Sequence, residues 1–291
     1  MWTIAKLAYK ELLYKRIFFI PFLMSVAFLI FYAVATHFAA DQTLEGVGKS
    51  GGTDTRLTLE NLFVGTQLLG IGLYFSSFIT ILLAILGSIG SISGEVESHQ
   101  MDTLLARPIT RQTIILGKFT GLACVLIVYA LLMFLGIIFV NQEFAGPYLA
   151  VQLSLSQLIH AGSLYLLQPI IVVAVSLLFS SRLTTMSGGI IMIILYGISF
   201  VGGFLEQFGA LFHNSSLTNT GIVTSLIFPV DSLFRKMTLY LFDSADDPVS
   251  FASQGIFASA STPSDAMIGY AILYSIIALV IATRIFAKRD L

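Results

Sequence analysis

One short stretch of the sequence resembles part of a phosphate-binding site. Gly48-Lys49-Ser50 could end a loop that cradles phosphates, because such loops close on Gly-Lys-Ser or Gly-Lys-Thr. The same motif requires a glycine five residues before Gly48, and Thr43 stands there. A buried strand should also precede the loop, and the sequence indicates none. We therefore predict no nucleotide site and no catalytic residue in this chain.

The residue types that bind metals are equally sparse. Asp243, Asp246 and Asp247 could together hold a hard cation, although a solvated surface loop is the simpler interpretation. The chain has one cysteine, Cys124, which excludes a disulfide framework and a cysteine-ligated zinc site. We predict no metal site and no cofactor bound by the chain itself.

The most charged segment, residues 94–118, has the composition of a docking surface. It mixes acidic, basic and apolar side chains, so that charge would set the register and apolar contacts would supply affinity. A short amphipathic helix, a break at Pro108 and a second helix capped by Thr110 would form a compact knob. Its candidate docking residues are Glu95, Glu97, His99, Met101, Asp102, Leu104, Leu105, Arg107, Pro108, Arg111 and Lys118.

The rest of the chain must position this segment in a membrane. Of the 291 residues, 56% are hydrophobic and 11% are charged, and the mean hydropathy is +0.91. Soluble domains contain about 25% charged residues. This composition indicates a polytopic membrane protein. It also excludes a nucleic-acid-binding protein, because no basic face is present.

Uncharged runs predict six membrane-spanning helices and an all-α fold. The predicted spans are residues 17–39, 62–93, 114–141, 153–180, 184–205 and 266–286. The second run would form a helix longer than the hydrocarbon core, which is about 30 Å thick. The cytosolic loop is predicted at 94–113, and a helical external segment at 207–265.

The distribution of charge predicts that both termini face the cytosol. With six spans and an inner N-terminus, 11 of the 15 Lys and Arg residues lie inside, and the net charge is +6 inside against −7 outside. The stretch 207–230 is too polar to span, so we expect it outside the membrane or dipping into the interface. The polar stretch 41–60 is expected to be an external loop.

Residues 2–15 are predicted to form an amphipathic helix along the inner leaflet. Trp2, Ala5, Tyr9 and Leu12 recur at helical spacing. A basic flank that only sets topology is the alternative.

A few polar residues accompany the spans and are candidates for a transport pathway. They are Gln67, Gln157, His160 and Glu206, together with Asp231 and Arg235 of the external segment. A chain of intramembrane carboxylates is absent from the sequence, which argues against an ion-coupled carrier.

The segment GEVESHQMDTLLARPITRQTIILGK resembles the permease subunits of ABC-2 type transporters. Their pattern reads roughly E-R-E-x-G-T-L-E-x-L-L-S-x-P-x-S-R, followed by G-K. The positions that match it are Glu95, Glu97, Leu104, Leu105, Pro108, Arg111, Gly117 and Lys118. His99 and Gln100 stand where these permeases have Gly-Thr.

The resemblance implies a non-catalytic permease that uses the loop as a coupling helix. Its partners would be an ABC ATPase subunit, which uses ATP and Mg²⁺, and a second copy of the permease or a homologue. The expected location is a bacterial inner or plasma membrane, and the expected activity is export. Two alternatives remain: a membrane component that serves an extracytoplasmic factor for assembly or metal-site maturation, and a scaffold without transport.

Overall fold

The computed structural model describes residues 2–50, 55–105, 109–242 and 263–289, and every regular element in these ranges is a helix. This confirms the predicted all-α class. The helices are α1 (Trp2–Tyr14), α2 (Arg16–Ser50), α3 (Thr55–Ser88), α4 (Gly90–Glu97), α5 (Gln100–Leu105), α6 (Arg111–Phe144), α7 (Gly146–Leu149), α8 (Leu155–Ser180), α9 (Thr185–Leu211), α10 (Ser215–Ile227), α11 (Val230–Phe242) and α12 (Ala266–Ala287).

Six described helices are long and apolar enough to cross a membrane, as the sequence predicted. They are Phe18–Glu45, Glu60–Glu97, Arg111–Phe144, Leu155–Ser180, Thr185–Leu211 and Ala266–Ala287. The second comprises most of α3 and all of α4 and contains 38 residues. At 1.5 Å per residue it is about 57 Å long, so it extends beyond a hydrocarbon core of about 30 Å.

The N-terminal helix, the loop after α4 and the end of α12 lie at the same end of the bundle, which we call the loop end. Ala5 of α1 packs against Gly121 near the start of α6. The Arg111 guanidinium donates to the carbonyl of Phe286 at 3.3 Å. The Arg289 guanidinium donates to the carbonyl of Ser181 at 2.9 Å. That the loop end faces the cytosol stays a prediction from the distribution of charge.

Helices α10 and α11 form a re-entrant hairpin at the opposite, far end of the bundle. They are bent by 107° relative to each other. Glycines let α10 pack closely and antiparallel to α9, with Thr218 against Gly209 and Glu206 against Gly221. The hairpin tip reaches the middle of α9, where the Ser199 hydroxyl donates to the carbonyl of Phe228 at 2.6 Å.

The second arm of the hairpin returns to the far end, where the Lys236 ammonium lies 2.8 Å from the Asp265 carboxylate. That 207–230 lies outside the membrane or dips into its interface stays a prediction, and the structure adds that α10 packs along α9 as far as the middle of that helix. The threonine hydroxyls of α10 donate to backbone carbonyls one turn back, as Thr220 does to Ser216 and Thr224 to Gly221, and Ser225 donates to Glu206 of α9. α11 lies within the predicted helical external segment.

The polar stretch 41–60 is also more regular than predicted. α2 continues to Ser50 and α3 begins at Thr55. This stretch contains no proline, so nothing interrupts the backbone hydrogen bonds of the two helices there. The acidic residues Asp243, Asp246 and Asp247 lie outside the described residues.

Buried side-chain hydrogen bonds join α3 and α8 in the bundle interior. The Ser77 hydroxyl donates to Gln168 Oε1 at 2.6 Å, and the hydroxyls of Ser76 and Tyr165 are 2.9 Å apart. Polar contacts of this kind hold helices together where apolar burial adds little. These polar groups are therefore part of the packing of the spans.

Candidate functional site

Between the second and third spans, the described residues 98–105, 109 and 110 belong to the knob that the sequence predicted. α4 ends at Glu97, α5 follows after a sharp turn, and Thr110 caps α6 by accepting from the amide of Thr113. The cap on α6 confirms the prediction for Thr110.

The turn depends on a left-handed backbone at His99, whose φ is 56°. That region favours glycine, and histidine is one of the few other residues enriched there. His99 stands where the resembling permeases have glycine. The substitution therefore preserves the turn and adds an imidazole to its surface.

A buried charge cluster fastens the base of the knob, and we call Glu11, Glu95 and Lys118 the loop-end cluster. Lys118 is 1% exposed. Its Nζ lies 2.6 Å from Glu95 Oε1 and 3.8 Å from Glu11 Oε2, and it donates to the carbonyl of Ser91. The three residues of the cluster come from α1, α4 and α6, so one ammonium joins these helices.

Glu95 and Lys118 therefore do not lie on the exposed surface of the segment. Both side chains are buried, and their charges are used within the chain. Burying a carboxylate requires a compensating partner, and a pattern of charges along a loop does not reveal that a partner is supplied by another helix. The part of these residues in coupling stays a prediction, and it would have to act through packing.

Two further charged residues of the segment stabilise helix ends. Glu97 accepts the amide of Thr185 at 2.8 Å and its hydroxyl at 3.3 Å, at the first turn of α9. A carboxylate is favourable there because the amides at a helix N-terminus are unpaired and carry partial positive charge. Arg111 places a cation against the last carbonyls of α12, which is the favourable arrangement for the opposite helix terminus.

The outward face of the knob consists of His99, Gln100, Asp102 and Thr103, which are all exposed. His99 Nδ1 lies 3.5 Å from Asp102 Oδ2. Met101 is fully buried and packs into the core, so it does not belong to this face.

The remaining predicted docking residues of the loop either pack against the core or have side chains that the structure does not describe. Leu104 is half-buried against the core. Leu105 ends α5, and nothing is described of its side chain. Arg107 and Pro108 lie outside the described residues.

A second buried charge cluster lies in the re-entrant hairpin, and we call Glu206, Asp231 and Arg235 the hairpin cluster. Arg235 Nη2 lies 2.7 Å from Glu206 Oε2, and its Nε lies 3.0 Å from Asp231 Oδ2. Nη2 also donates to the Ser225 hydroxyl at 3.2 Å. Arg235 thereby connects α9, α10 and α11, and Gly203 leaves the space that Asp231 occupies.

The sequence singled out Glu206, Asp231 and Arg235 separately as pathway or external candidates. The structure brings them together and pairs their charges. In this arrangement the three side chains hold the hairpin against span five. A role in a pathway stays a prediction and would require the cluster to open.

The other pathway candidates are not brought into the hairpin cluster. Gln157 forms a capping box with Ser154 at the start of α8, a role that the spacing Ser-x-x-Gln could have revealed. His160 Nδ1 forms a hydrogen bond with the carbonyl of Ser156 at 2.7 Å, and its ring lies 5.7 Å from that of Tyr240. Gln67 is half-buried on α3.

Within the described ranges, no group of three or more His, Cys, Asp or Glu residues could hold a metal ion. Several charged side chains are instead paired with one another or with helix ends. The arrangement presents exposed polar side chains on α5 and on the turn before it, above a base that is joined to several helices.

Comparison with known proteins covers nearly the whole chain. The model of a family described as ABC-2 family transporter proteins matches residues 2–291. A search of curated proteins finds no significant match. The family match includes the N-terminal helix, the knob, the six candidate spans and the hairpin. The chain therefore belongs to the ABC-2 family of transporter proteins.

Proposed function

We propose that this chain is the permease subunit that couples ATP hydrolysis by a partner ATPase to substrate export across a bacterial inner or plasma membrane. It works with a second copy of itself or with a homologue. The observation that carries the proposal is the knob. It presents an exposed polar face at one end of the bundle. Its base is joined to several helices by a buried ion pair and by charged side chains that bond to helix ends.

The attachment of the knob explains how a movement could reach the spans. Lys118 connects the helix before the knob to α1 and α6 through Glu95 and Glu11. Glu97 connects the same helix to α9, and Arg111 connects the helix after the knob to α12. A displacement of the knob face would therefore be passed to four other helices at once. An isolated flexible loop could not do this.

ATP and Mg²⁺ belong to the partner in this proposal. The chain contributes a docking face, a rigid connection and the spans through which the substrate passes. The alternatives of a scaffold or of a component that serves an extracytoplasmic factor retain the membrane fold, but they do not require the knob to bind an ATPase.

Two His–Asp pairs at opposite ends of the bundle provide a matched test. Asp102 pairs with His99 on the knob, and Asp41 pairs with His37 at 3.1 Å near the far end. Both carboxylates are exposed. The full chain, tagged and expressed in its native host, would be purified from membranes as Asp102→Arg and as Asp41→Arg. Retained proteins would be identified by mass spectrometry and assayed for ATP hydrolysis.

We expect the Asp41→Arg protein to retain as much ATPase subunit as the unmodified chain does. The Asp102→Arg protein should retain about tenfold less, because reversal of an interfacial charge costs affinity. If the unmodified chain retains no ATPase, or if both variants retain it equally, the proposal is wrong. Retention of the ATPase without ATP-driven transport in reconstituted vesicles would instead favour the scaffold.

A further inference from the structure

A groove of about 630 Å³ lies between the N-terminal helix and the third span. Its walls are Trp2, Lys6 and Tyr9 of α1, and Thr120, Gly121 and Cys124 of α6. We call it the α1–α6 groove. Its lining is almost entirely apolar, and its volume is within the range of about 300–1,000 Å³ that is typical of sites for small ligands.

Residue sizes explain why a groove forms here. A side chain at Gly121 would overlap the backbone of Ala5, so glycine lets α1 rest directly on α6. Trp2 and Tyr9 then extend beyond this contact on one flank of α1. The close backbone contact forms the floor, and the two aromatic side chains form one wall.

The groove continues onto an exposed apolar surface of α6. Cys124 is exposed, and one and two turns further along the helix Val128 and Leu132 are 53% and 65% exposed. α6 is the most apolar candidate span, with a mean hydropathy of 3.0 over its best window. An occupant of the groove could therefore extend along this stripe into the hydrocarbon region.

The rim of the groove carries one positive charge. Lys6 is exposed and forms no ion pair with a described residue. It lies beside Trp2, and tryptophan and lysine are both enriched where a bilayer meets water. A cation at the rim of an apolar groove matches one ligand chemistry, a negatively charged head group joined to a hydrocarbon chain.

We propose that the α1–α6 groove binds an anionic phospholipid of the leaflet at the loop end. The acyl chain lies in the groove and along the α6 stripe, and the phosphate pairs with Lys6. The bound lipid supports the underside of α1, which also carries Glu11 of the loop-end cluster. This inference concerns a lipid site and holds whether or not the chain couples to an ATPase.

The chain supplies its own probe for this site, because Trp2 is its only tryptophan. The full chain would be reconstituted in phosphatidylcholine nanodiscs that contain 10 mol% of a brominated lipid, either phosphatidylglycerol or phosphatidylcholine. Brominated chains quench tryptophan on contact. Each Lys near an anionic lipid surface contributes enough to give about a fivefold preference, so we expect brominated phosphatidylglycerol to quench Trp2 severalfold more than brominated phosphatidylcholine.

Lys6→Gln should abolish the difference between the two lipids, and Lys6→Glu should reverse it. Lys10→Gln is the matched control, because Lys10 is on the same helix but does not line the groove, and it should leave most of the difference between the two lipids in place. Gel filtration and helical content would show that each variant is folded.

Equal quenching by the two lipids in the unmodified chain would overturn the proposal, and so would equal effects of Lys6→Gln and Lys10→Gln. A second copy of the chain is the competing occupant. If the second copy fills the groove, an oxidant should form a disulfide between the Cys124 residues of the two copies in native membranes. Trp2 should then be shielded from both brominated lipids, and this result would overturn the proposal of a lipid site.

Discussion

The loop-end cluster and the hairpin cluster each place one cation between two carboxylates, but they use different cations. Lys118 offers a single ammonium to Glu95, to the more distant Glu11 and to a backbone carbonyl. Arg235 offers a planar fork, with Nη2 toward Glu206 and Nε toward Asp231. A guanidinium fixes the directions of its partners, whereas an ammonium acts as a point charge.

Access to water also differs between the two clusters. The Glu11 side chain remains 26% exposed, so the loop-end cluster reaches solvent on one side. The three charged side chains of the hairpin cluster are all at most one-tenth exposed. From this comparison we expect water to compensate a lost charge more readily at the loop end than in the hairpin. The predictions below test this difference.

The largest effect is expected for Arg235→Ala. The substitution leaves Glu206 and Asp231 buried without their cation, and removal of one partner of a buried ion pair costs about 3–5 kcal/mol. Unfolding of the purified protein in mixed detergent micelles measures the free energy of unfolding. Because the hairpin is joined to α9 by these contacts, protease access to α10 should rise as well.

A neutral triple variant separates two causes of the lost stability: the loss of attraction between the charges and the burial of charges that have no partner. Glu206→Gln, Asp231→Asn and Arg235→Met together remove every charge of the hairpin cluster and should recover most of the stability that Arg235→Ala loses. If the triple variant is as unstable as Arg235→Ala, the hydrogen-bond geometry of the guanidinium contributes more to stability than the pairing of charges does.

A smaller loss, about 2 kcal/mol, is expected for Glu95→Ala at the other end. Lys118 loses its nearest carboxylate but keeps Glu11 and the carbonyl of Ser91, and water can reach the site past Glu11. The same unfolding measurement applies. A loss as large as that of Arg235→Ala would show that water does not compensate the lost charge at the loop end.

Glu97→Gln should cost about 0.5–1 kcal/mol, because it removes a negative charge from the start of α9 but leaves a side chain that accepts hydrogen bonds. Hydrogen exchange at the first amides of α9 measures the change. Glu143→Gln, an exposed acidic position near the end of α6, is the control and should leave these amides unchanged.

The smallest effect is expected for Asp265→Asn at the far end. Lys236 and the Tyr240 hydroxyl keep the pKa of Asp265 below its usual value, but the carboxylate is exposed and exposed ion pairs contribute little. Any stabilisation from this lowered pKa is present above the unfolded pKa of about 3.9 and is lost as the pH falls through the folded value. Thermal unfolding at pH 7 should not distinguish the variant from the unmodified chain.

Much of the fold could be predicted because its signals are local. The length of an apolar run determines whether a helix can span, so the six spans follow from the sequence. The cap at Thr110 also follows from a short-range pattern. The length of α2 and α3 could not be predicted from polarity, because a polar stretch remains helical when nothing interrupts it.

The candidate site was less predictable, because its charges pair over long distances in sequence. Lys118 meets Glu11 across more than one hundred residues, and Arg235 meets Glu206 across the tip of the hairpin. His99 and Gln157 were different, since the expected glycine position and the capping-box spacing were visible in the sequence. Both signals describe local backbone geometry.

The sequence alone determined that the chain is an all-α membrane protein with six spans and a charged loop after the second. These properties depend on hydropathy and helical period, which are summed along the chain. Only the tertiary structure decided which charges remain available to a partner, because a carboxylate on a loop can face water or be buried against a cation from another helix. The energy of burying a charge depends on that partner, and packing supplied partners for Glu95, Glu97, Arg111 and Lys118.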